Sequence, residues 1–369
     1  MSLAALDTVW PADSVEFCPH PDAVDILVCG TYKLEQPEPE PTGEAETDVG
    51  ESIPNRVGQL RRGKCLLFAL DQGGSGTTLQ EVVLPAVPDL KWCHRDPGQR
   101  PMLAAADTEG HVTLLEYVKD ERILRTVQTI GCADSDVLCL SLDWSNRRLN
   151  SSDLGDLVVS MSNGSIALLR PENSTGMAVV DTWQAHDFEP WIAAWNYWDT
   201  NVIYTGGDDL KMKGWDVRQG FSQPTYVNKR FDAGVTSVQS HPYVEHLLAV
   251  GSYNDTVFLF DARKPLVPLT EVNVGGGAWR VKWHPSPERK DDLLVACMHD
   301  GCKVLRFNDT ASKEATAFNH SFTQRFDLHA SMAYGADWSY AYSHSEKGSE
   351  DSLIASCSFY DHAMYVWKG

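Results

Sequence analysis

Trp183-Gln184-Ala185-His186 opens the stretch whose reading decides the fold, and Trp215-Asp216-Val217-Arg218 closes it. Between them lie two apolar runs, Trp191-Ile192-Ala193-Ala194-Trp195 and Val202-Ile203-Tyr204-Thr205-Gly206-Gly207. An Asp208-Asp209 turn leads on to Lys211-Met212-Lys213-Gly214-Trp215-Asp216. Runs this short, bounded by polar turns, predict a strand end followed by three strands. At this spacing His186, Thr205, Asp209 and Trp215 fall where a buried hydrogen-bond relay would tie two turns together. A buried imidazole or carboxylate lacking such partners is strongly destabilising.

A unit of this kind closed by Trp-Asp is the signature of the WD repeat, each unit supplying one blade of a β-propeller. Aligning the rest of the chain on this unit gives seven anchors: Phe17, Trp92, Trp144, Trp195, Gln239, Trp283 and Trp338. Their spacing of roughly 44 to 55 residues, apart from one longer first gap, fits the WD period plus loop insertions. The expectation is an all-β, seven-bladed WD40 β-propeller, with residues 1–369 as one domain. Ring closure would remove the exposed sheet edges that invite aggregation. Asp7-Thr8-Val9-Trp10 is expected to supply the outer strand of the last blade and so clasp the termini. The long first gap holds residues 35–55, rich in Glu and Pro, which read as a disordered acidic loop inserted in blade one.

Composition narrows the function classes. Lys+Arg 31 against Asp+Glu 51 gives a net charge of −20, which argues against direct binding to nucleic acid or an anionic membrane. No window approaches the ~18 apolar residues of a membrane span, and Met1–Asp7 lacks the basic and apolar regions of a secretion signal. The nine cysteines are odd in number, form no C-x-x-C and lie mostly in apolar runs. They read as reduced, buried thiols, so a cytoplasmic location is expected.

In a propeller, the turns entering each first strand and those joining second to third strands gather at one mouth of the central channel. Tyr32, Asp208, Tyr253, Trp279, Tyr360 and Asp361 map there, as do Asp13, Tyr334, His299 and His362. Aromatic rings and carboxylates at such a mouth suit a quaternary ammonium group. The plainer reading is a peptide-binding surface without chemistry. No nucleophile elbow, dinucleotide fingerprint, P-loop or H-E-x-x-H occurs. Cys297, His299 and Cys302 form at most a partial metal set without a fourth ligand, so neither metal nor cofactor is expected. His241 and His284 map to the opposite face as structural residues, and Asp361 also fits a blade-seven relay with Ser356 and Trp367. Trp215-Asp216-Val217-Arg218 and Phe260-Asp261-Ala262-Arg263 match the Asp-x-Arg box of WD-repeat receptors of cullin-type ubiquitin ligases. Arg218 and Arg263 are therefore candidate adaptor contacts, unless each pairs within its own blade.

Longer strings carry a closer resemblance. Gly30-Thr31-Tyr32, Lys91-Trp92-Cys93-His94, Trp191-Ile192-Ala193-Ala194, Ala296-Cys297-Met298-His299 and Cys357-Ser358-Phe359-Tyr360-Asp361-His362 are among them. Together, from blade one to blade seven, they resemble the diphthine methyl ester hydrolase family, also called diphthine methyltransferase. Asn254 departs from the pattern, where Asp usually follows Gly-Ser-Tyr. The resemblance implies a carboxylic ester hydrolase that demethylates methylated diphthine on translation elongation factor 2, yielding diphthine in diphthamide biosynthesis. It brings no established catalytic set. From the residues, Tyr32, Tyr253, Trp279 and Tyr360 would hold the substrate's trimethylammonium, with Asp208 and Asp361 adding negative field. His299 or His362 would act as general base on water. Cys357 as nucleophile is the weaker option, because a thiolate is disfavoured in an apolar run. The alternative class is a non-catalytic receptor of a cullin-type ligase.

Overall fold

The computed structural model describes residues 2–35, 60–71, 73–312, 318–341 and 352–369. These residues form seven antiparallel sheets, six of four strands and one of five. Each sheet is a blade, and the blades stand radially around a central channel in chain order.

The stretch Trp183–Arg218 straddles two blades. Trp183 and Gln184 end the outer strand of blade three, Met177–Gln184. The other three runs become Ile192–Trp195, Val202–Gly206 and Met212–Asp216, the inner strands of blade four. Tyr226–Asn228 completes that blade. The relay is present across the joint. His186 Nδ1 lies 2.8 Å from Asp209 Oδ1, and Nε2 lies 2.7 Å from Thr205 Oγ1. Trp215 Nε1 donates to the same Thr205 oxygen at 2.9 Å. Burial lowers the His186 pKa while Asp209 opposes the shift, so the imidazole serves as a neutral bridge between donor and acceptor.

Four of the seven innermost strands are hidden on all sides, and the other three carry one half-buried residue each. Ala12–Phe17, Asp89–Trp92, Ile192–Trp195 and Arg280–Trp283 are buried at every residue. Seven apolar clusters occupy the seven junctions between neighbouring blades. Anchor tryptophans stitch the junctions. Trp144, Trp195 and Trp338 donate their indole N–H to Lys91 O, Asp143 O and Lys282 O of the preceding blade, at 2.9, 3.1 and 2.9 Å.

The residue before each anchor faces the channel, and there the polar groups pair. Asp143 Oδ2 accepts the backbone N–H of Trp195, and Asp337 Oδ2 that of Phe17, both at 2.9 Å. Lys282 lies 3.2 Å from Asp337 and 3.6 Å from Glu16. Gln239 belongs to this inner ring, its Oε1 accepting from Trp283 N at 2.6 Å. The blade-five anchor is thus Ser240 rather than Gln239: Ser240 pairs with Leu248 as Trp195 pairs with Ile203.

Closure of the ring uses the N-terminus, as expected, but through Ser2–Asp7 rather than Asp7–Trp10. That strand pairs with Ala363–Lys368. Val9 at φ 65° and Pro11 turn the chain inward toward blade one. The acidic stretch 35–55 lies outside the described residues except Glu35, which pairs with Arg62 at 2.8 Å. Among the described residues no helix is long and apolar enough to cross a membrane.

Candidate functional site

Antiparallel pairing puts the start of each innermost strand beside the end of the second strand, so those positions share one channel mouth. Aromatic residues occupy them in blade after blade. Trp191 precedes the blade-four strand and Trp279 the blade-six strand, while Tyr334 sits in Ala333–Trp338. Tyr253, Phe359 and Tyr32 follow second strands. Their rings form an arc. Centroids are 5.5 Å apart for Trp191–Trp279, 5.4 Å for Tyr253–Trp279 and 5.0 Å for Trp279–Tyr334. The arc continues through Tyr334–Phe359 at 5.6 Å and Phe359–Tyr32 at 5.9 Å. Trp279 reaches the rim because the loop before it lies flat on blade six. A Cβ at Gly276 would meet Cys297 O at 2.1 Å, so only glycine allows that approach.

Beside the arc is a cavity of about 360 Å³, walled by Tyr32, Trp191 and Trp279 together with Asp13, Arg61, Glu189 and Arg280. Its size falls within the usual small-ligand range of roughly 300–1,000 Å³. Below it the channel narrows to about 30 Å³ between Lys91, Asp143, Arg147, Arg280 and Lys282, space for little more than a water or two.

Burial dominates the electrostatics of the mouth, whose wall holds two carboxylates, Asp13 and Glu189, and two guanidinium groups, Arg61 and Arg280. Burial pushes the Asp13 carboxyl up to about 7, with Asp89 adding to the rise and Arg280 opposing it. Burial also raises the Tyr32 and Tyr253 hydroxyls and lifts Tyr334 to about 12, Asp13 contributing to each. Asp208 is exposed at the rim and accepts the Trp191 indole N–H at 2.7 Å.

Four of the residues singled out in the sequence therefore come together: Tyr32, Tyr253 and Trp279 in the arc, and Asp208 against it. Tyr360 stands at the edge, 70 % exposed, its ring 5.0 Å from Phe359. Asp361 is engaged elsewhere. It accepts from Ser358 Oγ and, at 2.9 Å, from Ala330 N. Ser358 Oγ lies 2.7 Å from His329 Nδ1, and His329 Nε2 lies 2.8 Å from Ser356 Oγ, which accepts from Trp367 Nε1 at 3.0 Å. Asp361 thus anchors the blade-seven relay.

Neither His299 nor His362 is in the cavity wall. His299 is exposed on the blade-six turn. His362 adopts φ 55°, and its carbonyl accepts from Thr8 N at 2.9 Å, which draws this end of the turn toward the segment leaving the outer strand. Cys357 has no exposed surface and packs in the core between blades seven and one. There it neighbours Cys29, whose thiol is pushed well above its usual range by Cys357 and by burial. A nucleophile must reach substrate, so the placement of Cys357 corrects its candidacy. Cys297 and Cys302 belong to different inter-blade cores. Among the described residues no group of three or more His, Cys, Asp or Glu is placed to hold a metal. Arg218 and Arg263 each grip the Asp of their own box, with contacts of 2.8 and 2.7 Å to Asp216 and 2.9 and 2.7 Å to Asp261.

The sequence reading left out Trp191, Phe359 and His329, and carried Asp13 and Tyr334 only as positions near the mouth. Trp191 was legible as the residue aligned with Trp279, both opening an innermost strand. His329 was not, because its partners are serines 27 and 29 residues downstream.

No family model matches the chain. A diphthine methyltransferase of Mus musculus is 37% identical over 354 residues, covering 94% of this chain and 70% of the relative. A diphthine methyltransferase homolog of Dictyostelium discoideum is 31% identical, covering 97% of this chain and 96% of the relative. Among solved structures, a chain from the crystal structure of the mitotic checkpoint complex superposes with a TM-score of 0.68 at 16% identity, covering 100% of this chain and 94% of that one. This last likeness concerns the fold alone. Identity above 30% over more than nine-tenths of this chain, and over 70% to 96% of the relatives, settles kinship: the chain belongs to the diphthine methyltransferase family.

Proposed function

We propose that this chain works in diphthamide biosynthesis as a carboxylic ester hydrolase, removing the methyl ester from methylated diphthine on translation elongation factor 2. The observation that carries the reading is the aromatic arc beside a cavity with Asp13, Glu189 and Asp208 at its wall and rim. Methylated diphthine bears a trimethylammonium close to its ester. A cation over an aromatic face gains roughly 0.5–1 kcal/mol when exposed and about 2 or more when desolvated. Trp279, at the centre of the arc, would take the largest share, with Trp191 and Tyr253 closing around the methyl groups.

With the ammonium held there, the ester lies against the cavity wall. Hydrolysis needs a water, a base and a donor for the oxyanion. Arg280, which lines both the cavity and the waist below it, is the donor we assign to the developing charge. His299 and His362 stand as rim bases only if the substrate reaches outward to the turns of blades six and seven. Elongation factor 2 is the partner in this reading, docked over the mouth.

Replacing Trp279 by Ala tests the binding role. Measured by methanol release from the methylated factor, KM is expected to rise about tenfold, the equivalent of ~1.4 kcal/mol of cation–π energy, with kcat nearly unchanged. An unaltered KM would remove the arc from substrate binding.

A further inference from the structure

We propose that Asp13 is the general base of this site, the group that takes the proton from the attacking water; the assignment rests on the ester-hydrolase reading above. Asp13 lies in the innermost strand of blade one, Ala12–Phe17, and is 8 % exposed. Its carboxylate makes no hydrogen bond to any described residue, whereas the other channel carboxylates are held. Asp89, Asp143 and Asp337 each accept a backbone N–H from the next blade and pair with a cation. A carboxylate this enclosed and without a protein donor is costly, and its open side is the cavity. Asp13 stands in the wall of that cavity, which it shares with Glu189, beside Tyr32, Trp191 and Trp279.

The surroundings match the task. The groups facing Asp13 are Arg280 from blade six, Asp89 from blade two, Tyr32 and Arg61 from blade one, Tyr253 from blade five and Tyr334 from blade seven, with Glu189 on the far wall. Burial outweighs Arg280 and leaves the carboxyl titrating near 7, where a base combines a populated ionised form with real proton affinity. In the step itself, Asp13 takes one proton from water as the oxygen adds to the ester carbon. The carbonyl electron pair moves onto the oxyanion beside Arg280. The tetrahedral intermediate collapses, the C–OCH₃ bond breaks, and Asp13 returns its proton to the departing methoxide. Water and methyl ester become carboxylic acid and methanol, with no other reactant.

The test compares wild type with Asp13→Asn and Asp13→Glu on elongation factor 2 bearing methylated diphthine, following methanol release from pH 5.5 to 9. For wild type, kcat/KM is expected to rise with pH and level off above a midpoint near 7. Asp13→Asn, an isosteric change, is expected to lose 10²-fold or more in kcat while keeping its melting cooperativity. Asp13→Glu is expected to recover part of the rate with a shifted midpoint. A rate within threefold of wild type in Asp13→Asn, or a pH limb that survives the substitution, would overturn the assignment while leaving the hydrolase reading standing. Absence of methanol from wild type would overturn both.

Discussion

A carboxyl such as Asp13 carries a stability signature as well as a chemical one. Burial raises its pKa to about 7 in the fold from an ordinary 3.8, so the folded state binds more protons than the unfolded chain between those values. Stability therefore falls as pH rises from about 4 to 7, and the full cost of the buried charge is present above 7. A shift of this size corresponds to on the order of 4 kcal/mol. Asp13→Asn is accordingly expected to raise the melting temperature at pH 8 and to leave it nearly unchanged at pH 4, measured by calorimetry on both proteins. Equal melting at both pH values would mean that the Asp13 carboxylate is solvated or paired in solution. The relay residues show the opposite economy: His186, Thr205, Asp209 and Trp215 were readable from spacing because each finds a partner within one repeat. Asp13 was readable only as a position near the mouth. Its environment comes from blades two, five, six and seven, which no local pattern reports.

At the scale of the element, strands were legible where both faces are buried and less so where one is wet. The inner strands are short apolar runs, and the sequence located all seven blades by them. The outer strand Ser2–Asp7 alternates half-buried and exposed residues and carries a weaker signal. The reading consequently placed it at Asp7–Trp10, where Val9 in fact bends the chain. In blade five the anchor holds Ser240 instead of Trp, which moved the alignment by one residue onto Gln239. The energetic role of the N-terminal strand is testable. Leu6 and Ala4 pack against the core between blades seven and one, and removing Ser2–Asp7 would leave Ala363–Lys368 as an open edge. A variant beginning at Thr8 is expected to lose on the order of 3 kcal/mol in urea unfolding and to aggregate at lower concentration than the full chain. Unfolding coincident with wild type would show that the clasp is dispensable.

At the scale of the whole molecule, closure makes the site. The aromatic arc draws Tyr32, Trp191, Tyr253, Trp279, Tyr334 and Phe359 from blades one, four, five, six and seven, separated by tens to hundreds of residues. The ring brings them within 5.0 to 6.4 Å of a neighbour. The sequence revealed which turns face the mouth, because strand count and direction fix that. It did not decide between roles: Asp361 read both as a binding residue and as part of the blade-seven relay, where the structure places it, and Cys357 read as the weaker nucleophile and lies in the core. The family's name speaks of methyl transfer, whereas the function proposed above has water attack an ester. The deciding measurement is the mass of elongation factor 2 bearing methylated diphthine after incubation with this chain alone, without a methyl donor. Loss of one methylene from the modified histidine, with an equal amount of methanol, is the expected result. An unchanged mass, or a methyl gained only when a donor is supplied, would contradict the account.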